Sequence, residues 1–314
     1  MNMGTDMTAT NTSRTIACVG EAMVELNITN TAQQIAFAGD VLNTAIYLSR
    51  GLDAASKVEF VSVLGQDALS AEMERFIGRE GVGTTRIRHH DTRLPGIYSI
   101  AVDSEGERSF SYWRDQSAAR SLFEDGFGQL DGADLIYLSG ITLAILPQER
   151  RLALLDHLQH QPARIAFDSN YRPKLWEDQA TARRMTEAAW RICDIALPSV
   201  DDEMLLFGDQ DDEAVLMRLR SYGLRSGALK RGARGPRPID PNLPSPILPQ
   251  ATKVVDTTAA GDSFNGAWMA STLGNCDPAT ALKLAHEQAT RVIAHKGAIV
   301  PLSKGSAACE GERN

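Results

Sequence analysis

An α/β fold, with a mainly parallel sheet covered by helices on both faces, is what this sequence predicts. Short apolar runs of β type alternate with longer stretches of helical periodicity, and a single region departs into two consecutive extended runs. Strand, helix, strand in succession makes neighbouring strands parallel, because the helix carries the chain back across a face of the sheet.

In chain order, "TIACVG", "VEFVSVLG", "DLIYLSG", "RIAFDSN", "CDIALPS" and "SGALKRG" read as strands. "VLNTAIYLSRGL", "ALSAEMERFIGREG" and "ATARRMTEAAWRI" carry the helical period. Residues 1–13 are polar and read as a frayed tail, 305–314 as a second tail, and 14–304 as one domain. Several apolar runs end in Gly20-Glu21, Ser139-Gly140, Asp168-Ser169-Asn170 and Lys230-Arg231-Gly232. Ligands of open parallel sheets bind beyond the carboxyl ends of the strands, so these endings mark a candidate site.

The departing region is "GIYSIAVDSEGERSFSYWRD", a hairpin turning at Asp103-Ser104-Glu105-Gly106. Period two puts Arg108, Phe110, Tyr112 and Arg114 on one face and Ser109, Ser111 and Trp113 on the other. Two arginines and two aromatics on one face read as a lid over a site, although an edge hairpin with charged gatekeepers has the same pattern. From Gly232 to Gln250 the density of proline predicts a long loop with one edge strand.

Composition limits the functions. With 43% hydrophobic and 23% charged residues, the 314-residue chain reads as an ordinary globular protein. A formal net charge of −8 argues against non-specific nucleic-acid or anionic-membrane binding. No run of 18 apolar residues or targeting segment is visible, and the four cysteines form no CxxC pair, so a reducing, cytoplasmic setting is expected.

The stretch "DTTAAGDSFNGAW" carries the chemistry. Val254-Val255 closes an extended run, and a helix is predicted from about Ser263 to Leu273. Small residues before a helix leave backbone amides open, and the unpaired N–H groups and positive dipole there form an anion cradle. Asp262 could simply cap this helix. A carboxylate beside an anion cradle is also what phosphoryl transfer to an alcohol needs: amides for the phosphoryl charge, a base for the hydroxyl proton. The amides are expected to keep Asp262 ionised with an ordinary low pKa. No P-loop and no GxGxxG after a strand is present, and "KRGARG" is by itself a weak nucleotide-loop signal.

From about Arg14 to Pro301 the chain resembles the ribokinase-like (PfkB) family of carbohydrate kinases. The family's signature DTTGAGD appears as Asp256 to Asp262, and its early glycine pair as Ala38-Gly39, followed by Asp40 and Asn43. "GEAMVEL", "FAGDVLNTAIYLSR", "LPGIYSI", "GERSFSYWR", "YLSGITLAIL" and "DSNYRPKLW" are further similar to its 2-keto-3-deoxygluconate kinase branch.

The resemblance implies a three-layer α/β/α sandwich with a small β-sheet lid at about 21–38 and 92–116. It implies ATP as co-substrate with Mg²⁺, a small sugar acid as acceptor, and a homo-oligomer. Asp262 would be the general base, and Ala259, Ala260 and Gly261 the anion hole for the nucleotide's phosphates. Gly39, Asp40 and Asn43 would hold sugar hydroxyls, and Tyr98, Tyr112, Arg114 and Arg172 would surround the keto acid. Lys230, Gly232, Ala233 and Gly235 would line the nucleotide, with Asn170 near the phosphates. Asp202, in an approximation of the family's NxxE motif, would meet the metal through water. Ala259 replaces a family glycine, so the turn is expected to keep to ordinary backbone regions.

Rival readings are a GDS-type serine hydrolase on Ser263, a kinase for a neutral sugar or nucleoside, and a sensor without catalysis. The hydrolase lacks a DxxH after its serine, and a neutral acceptor needs no arginines. A pure binder has no use for a base at Asp262. Each arginine could also be a surface ion-pair residue.

Overall fold

The computed structural model describes residues 13–28, 33–102 and 108–301. The tails and the hairpin turn Asp103-Ser104-Glu105-Gly106 lie largely or wholly outside them.

Eight strands form the main sheet: β1 (Thr15–Val19), β4 (Lys57–Leu64), β5 (Ile87–His89), β8 (Leu135–Ser139), β9 (Arg164–Asp168), β10 (Ile195–Ala196), β11 (Ser226–Leu229) and β12 (Arg237–Pro238). The order is β12-β11-β10-β9-β8-β1-β4-β5, and only β12 runs antiparallel to its neighbour. Six of the eight are the predicted apolar runs, β12 is the edge strand expected in the proline-rich segment, and β5, at the other edge, had no predicted counterpart. The strand in "CDIALPS" shrinks to two residues.

Period-two packing builds the two outer layers. Ile16 and Cys18 of β1, with Leu135 and Tyr137 of β8, pack on one face with helices α1 (Asp40–Gly51), α2 (Ala68–Arg79), α8 (Ala260–Leu273) and α9 (Pro278–Ile293). Ala17 and Val19, with Ile136 and Leu138, pack on the other face with α3 (Gly140–Ile145), α4 (Gln148–Gln159), α5 (Gln179–Ile192), α6 (Val200–Phe207) and α7 (Asp212–Ser221). Strands buried on both faces must be apolar throughout, which is why their sequences show no polar alternation.

A second sheet of four strands, β3-β2-β6-β7, comprises β2 (Met23–Ile28), β3 (Gln33–Ala38), β6 (Gly96–Val102) and β7 (Arg108–Trp113). β2 pairs parallel with β6, and the hairpins β2/β3 and β6/β7 flank them.

Two local expectations fail. Val254 and Val255 form no strand; they lie in an exposed loop, 61% and 48% accessible. β-branched residues favour strands only where a neighbouring strand or buried face receives them. Helix α8 begins at Ala260 rather than Ser263, so Gly261 and Asp262 are in its first turn. Cys18 and Cys193 are free, but Cys276 is disulfide-bonded, which departs from the reducing setting that the cysteine spacing led us to expect. No helix of the described residues is long and apolar enough to cross a membrane.

Candidate active site

From β1 the chain runs outward to β4 and β5, then returns to β8 on the other side. This reversal opens a crevice beyond the carboxyl ends of β1 and β8, where connections depart in opposite directions. The polar strand endings and the N-termini of α1 and α8 meet there.

Helix α1 starts at Asp40, directly after Gly39. The backbone of Gly39 is extended (φ 169°), so no special conformation demands glycine; a Cβ there would stand 2.2 Å from the carbonyl oxygen of Glu21. The bare Cα lets the helix start against the β1–β2 turn. Asp40 Oδ2 accepts from Ser139 Oγ at the end of β8 (2.6 Å) and from Asn170 Nδ2 beyond β9 (2.8 Å). Asn43, three residues along the same helical face, donates from Nδ2 to Asp262 Oδ2 at 2.9 Å.

A second buried network lies behind the first. Asp168 Oδ2, at the end of β9, accepts from Lys230 Nζ (2.5 Å) and Asn265 Nδ2 (2.7 Å). Lys230 Nζ also reaches Asn265 Oδ1 (3.0 Å), and Asn265 Nδ2 reaches the Tyr137 hydroxyl (3.1 Å). Asp168 and Ser139 belong to strand endings that mark the crevice but carried no assigned role, and Asn265 and Tyr137 carried no mark at all. Three-residue spacing from Asp262 could have marked Asn265. Tyr137 sits inside an apolar strand and gives no such signal.

The turn before α8 differs from expectation. Ala259 is in the left-handed region (φ 58°), the conformation that the family's glycine adopts freely and alanine resists. The turn is held from outside: Asp256 Oδ1 accepts from Thr258 N (3.0 Å) and Oγ1 (2.7 Å), and Oδ2 accepts from Gly297 N (2.9 Å). Ala259→Gly should therefore stabilise the protein by about 0.5–1 kcal/mol, relief of left-handed strain outweighing the added freedom of the unfolded chain. Thermal unfolding checks it; an unchanged or lower Tm would place Ala259 in an ordinary region.

No side chain caps the N-terminus of α8 among the described residues. The Ala260 amide itself closes onto Thr257 O (3.2 Å), and Ser263 N bonds Ala259 O, so the open face of the cradle centres on Gly261 and Asp262. The buried Ser263 hydroxyl donates to Ala260 O (3.0 Å), which removes it as a nucleophile.

Asp262 does not have an ordinary pKa. It is pushed up to about 7, first by burial and next by the negative charge of Asp40; the Asn43 hydrogen bond and Lys230 oppose this, while Asp168 adds to it. The expectation of a carboxylate kept ionised by nearby amides is thus corrected: burial first, and then the charge of carboxylates arriving from other elements, raise its pKa.

On the small sheet, Tyr98 and Tyr112 are cross-strand partners, stacked at 5.8 Å between ring centroids. The Tyr98 hydroxyl donates to Glu25 on β2, and burial pushes this phenol's pKa upward, helped by Glu25. Tyr112 is exposed. Arg114, just past β7, is buried and donates through Nη2 to the buried Glu21.

Arg172 has a half-exposed side chain and donates to Asp202 Oδ1 (3.3 Å) and to the Tyr171 carbonyl (2.9 Å). Each arginine expected to meet a ligand carboxylate therefore already faces one from the protein. Burial raises the pKa of Asp202, against the charge of Arg172. Beyond β11, Ala233 lies in a 3₁₀ turn, Gly232–Arg234, bounded by Gly232 and Gly235, both at positive φ. Among the described residues no group of three or more His, Cys, Asp or Glu is placed to hold a metal ion.

The pfkB family carbohydrate kinase profile matches residues 13–305. The chain is 40% identical over 307 residues to the 2-dehydro-3-deoxygluconokinase of Dickeya dadantii (strain 3937), covering 93% of this chain and 98% of that protein. The crystal structure of 2-dehydro-3-deoxygluconokinase from Thermotoga maritima superposes with a TM-score of 0.78 at 20% identity, covering 93% and 96% of the two chains. Fructokinase with bound ATP from Xylella fastidiosa superposes with a TM-score of 0.77 at 21% identity, covering 90% and 93%. With its signature turn at the N-terminus of α8 and this match over nearly its full length, the chain belongs to the pfkB family of carbohydrate kinases.

Proposed function

We propose that this protein transfers the γ-phosphoryl group of ATP to the terminal hydroxyl of 2-keto-3-deoxy-D-gluconate, giving the 6-phosphate. The observation that carries the reaction type is Asp262, held by Asn43 in the first turn of a helix whose N-terminus no side chain caps. The acceptor is supported by relatives of about 40% identity that bear this activity in their name.

In this reading Asp262 accepts the hydroxyl proton while the turn of Ala259, Ala260 and Gly261 receives the phosphoryl charge. The transition state is loose, so positioning and charge stabilisation do most of the work. Gly39, Asp40 and Asn43 bind sugar hydroxyls, and Asn170, bonded to Asp40, links that cluster to the phosphates. Tyr98, Tyr112, Arg114 and Arg172 enclose the keto acid. Lys230, Gly232, Ala233 and Gly235 receive the nucleotide.

Mg²⁺ supplies charge neutralisation on the phosphates and dehydrates reluctantly, so it needs few protein ligands. Asp202, a carboxylate within the electrostatic reach of Asp168 and Lys230, suits contact through water. The small sheet acts as the lid, shutting out water that would otherwise take the phosphoryl group. Ile35 and Trp113 on it are 59% and 60% exposed, apolar area suited to pairing between copies of the chain, and a cytoplasmic homo-oligomer is the assembly we infer.

Release of ADP, with ATP and Mg²⁺ and equal concentrations of 2-keto-3-deoxygluconate, its galactonate epimer, fructose and ribose, tests the proposal. A preference for the keto acids of at least tenfold in kcat/KM is the expected result. Preference for a neutral sugar would keep the mechanism and sink the acceptor, and no ADP from any of them would favour a sensor on the same fold.

A further inference from the structure

We propose that Glu21 is the positioning residue for acid recognition: it holds Arg114 in the orientation that receives the acceptor's carboxylate. This rests on the acceptor proposed above and adds a residue to which the sequence patterns gave no role.

Both partners are almost fully enclosed, with side-chain accessibilities of 8% for Arg114 and 1% for Glu21. The surroundings are cut to fit Glu21. The absent Cβ of Gly39 would lie 2.2 Å from its carbonyl oxygen, and the absent Cβ of Gly96 would lie 2.6 Å from its Oε1. That same Cβ would also stand 3.2 Å from Arg114 Cβ. Gly39 is extended at φ 169° and Gly96 lies in strand β6, so close approach rather than backbone freedom explains glycine at both positions. Gly39, between β3 and α1, thus leaves room for the backbone of Glu21, and Gly96, in β6, leaves room for its carboxylate and for the arginine that it holds.

The pairing is incomplete in an informative way. Glu21 takes Arg114 through Nη2, whereas Arg114 Nε, Glu21 Oε1 and Asn43 Oδ1 are buried with no hydrogen-bond partner among the described residues. Buried polar atoms without partners are rare, and a charged donor is the most costly of them. Arginine binds carboxylates in a planar fork, so a guanidinium anchored by one Nη retains a donor edge for a second carboxylate. The Glu21 carbonyl lies against Gly39, the residue before the helix that carries Asn43, and Asn43 donates to Asp262, so the pair stands beside the start of the helix that holds the proposed base.

A double-mutant cycle on Glu21 and Arg114 tests this, with KM for the keto acid, KM for ATP and kcat measured for each variant and folding followed by thermal unfolding. Glu21→Ala should raise KM for the keto acid by about 10- to 100-fold, the size of one lost charge-assisted hydrogen bond to a carboxylate. KM for ATP and kcat should stay within about threefold. Because Glu21 acts through Arg114, adding Glu21→Ala to Arg114→Ala should raise KM little further. Glu21→Gln, which keeps the length and one acceptor, should fall between wild type and Glu21→Ala, and it carries the test if the alanine variant does not fold.

An unchanged KM for the keto acid in Glu21→Gln and Glu21→Ala would overturn the inference. So would additive effects with Arg114→Ala, or an equal rise in KM for ATP, the pattern of a purely structural residue. A wild-type enzyme that ignores both keto acids would sink the acceptor reading and this inference together; one that takes them while the cycle shows no coupling would sink the inference alone.

Discussion

Replacing Asp262 with asparagine should lower kcat by about 10²–10⁴-fold, the usual contribution of a positioned general base, with KM for acceptor and ATP within about threefold. Asparagine keeps the shape and can still bond Asn43, so binding is spared while the proton acceptor is lost. Steady-state kinetics on the folded variant decides it. A kcat within tenfold of wild type would remove Asp262 from the base role.

The raised pKa adds a second expectation for the same residue. As Asp262 is held up to about 7 by burial and by Asp40, kcat/KM should rise about tenfold per pH unit and level off near pH 7. A limb near pH 4 would mean that the local amides dominate after all. Asp40→Asn should move the limb downward by removing a negative neighbour. The stability effect has the opposite sense: a carboxyl with a raised folded-state pKa favours the fold when protonated. That contribution is full below about pH 4 and is lost as the pH rises through 7, so Asp262→Asn should gain on wild type in unfolding free energy above pH 7.

Lys230→Met should have the largest combined effect on stability and nucleotide use. Lys230 Nζ sits 2.5 Å from the buried Asp168 carboxylate with only 12% of its side chain accessible, and breaking such a pair from one side leaves an uncompensated buried charge. We expect a stability loss of about 3–5 kcal/mol at pH 7. KM for ATP should rise by about 10- to 100-fold as the phosphates lose a charge-assisted donor. The pH limb should also move upward, since Lys230 is one of the groups that hold the pKa of Asp262 down. Denaturant unfolding and KM for ATP check the two effects separately; a change in stability with no change in KM for ATP would make Lys230 a structural residue.

The strands of the main sheet were legible because burial on both faces demands uninterrupted apolar runs, as in "TIACVG" and "DLIYLSG". The same rule misled at Val254-Val255, where a β-branched pair has no strand to join. The start of α8 was placed three residues late, because the small residues Ala260 and Gly261 read as turn rather than helix, and alanine was separately expected to keep position 259 out of positive φ. The hydrogen bonds from Thr258 and Gly297 to Asp256 hold the turn against that preference, and Gly297 is distant in sequence.

Local pattern was enough for the fold class, for the strand endings that mark the crevice and for the placing of Asp262 at the N-terminus of a helix, because each depends on residues within a few positions of one another. The pairing of Arg114 with Glu21, the pairing of Arg172 with Asp202, and the climb of Asp262 to a pKa of about 7 came only from tertiary structure. Electrostatic interaction depends on distance in space and on exclusion of water. Asp40, Asp168 and Lys230 come close to Asp262 only when the ends of separate strands and helices converge at the crevice.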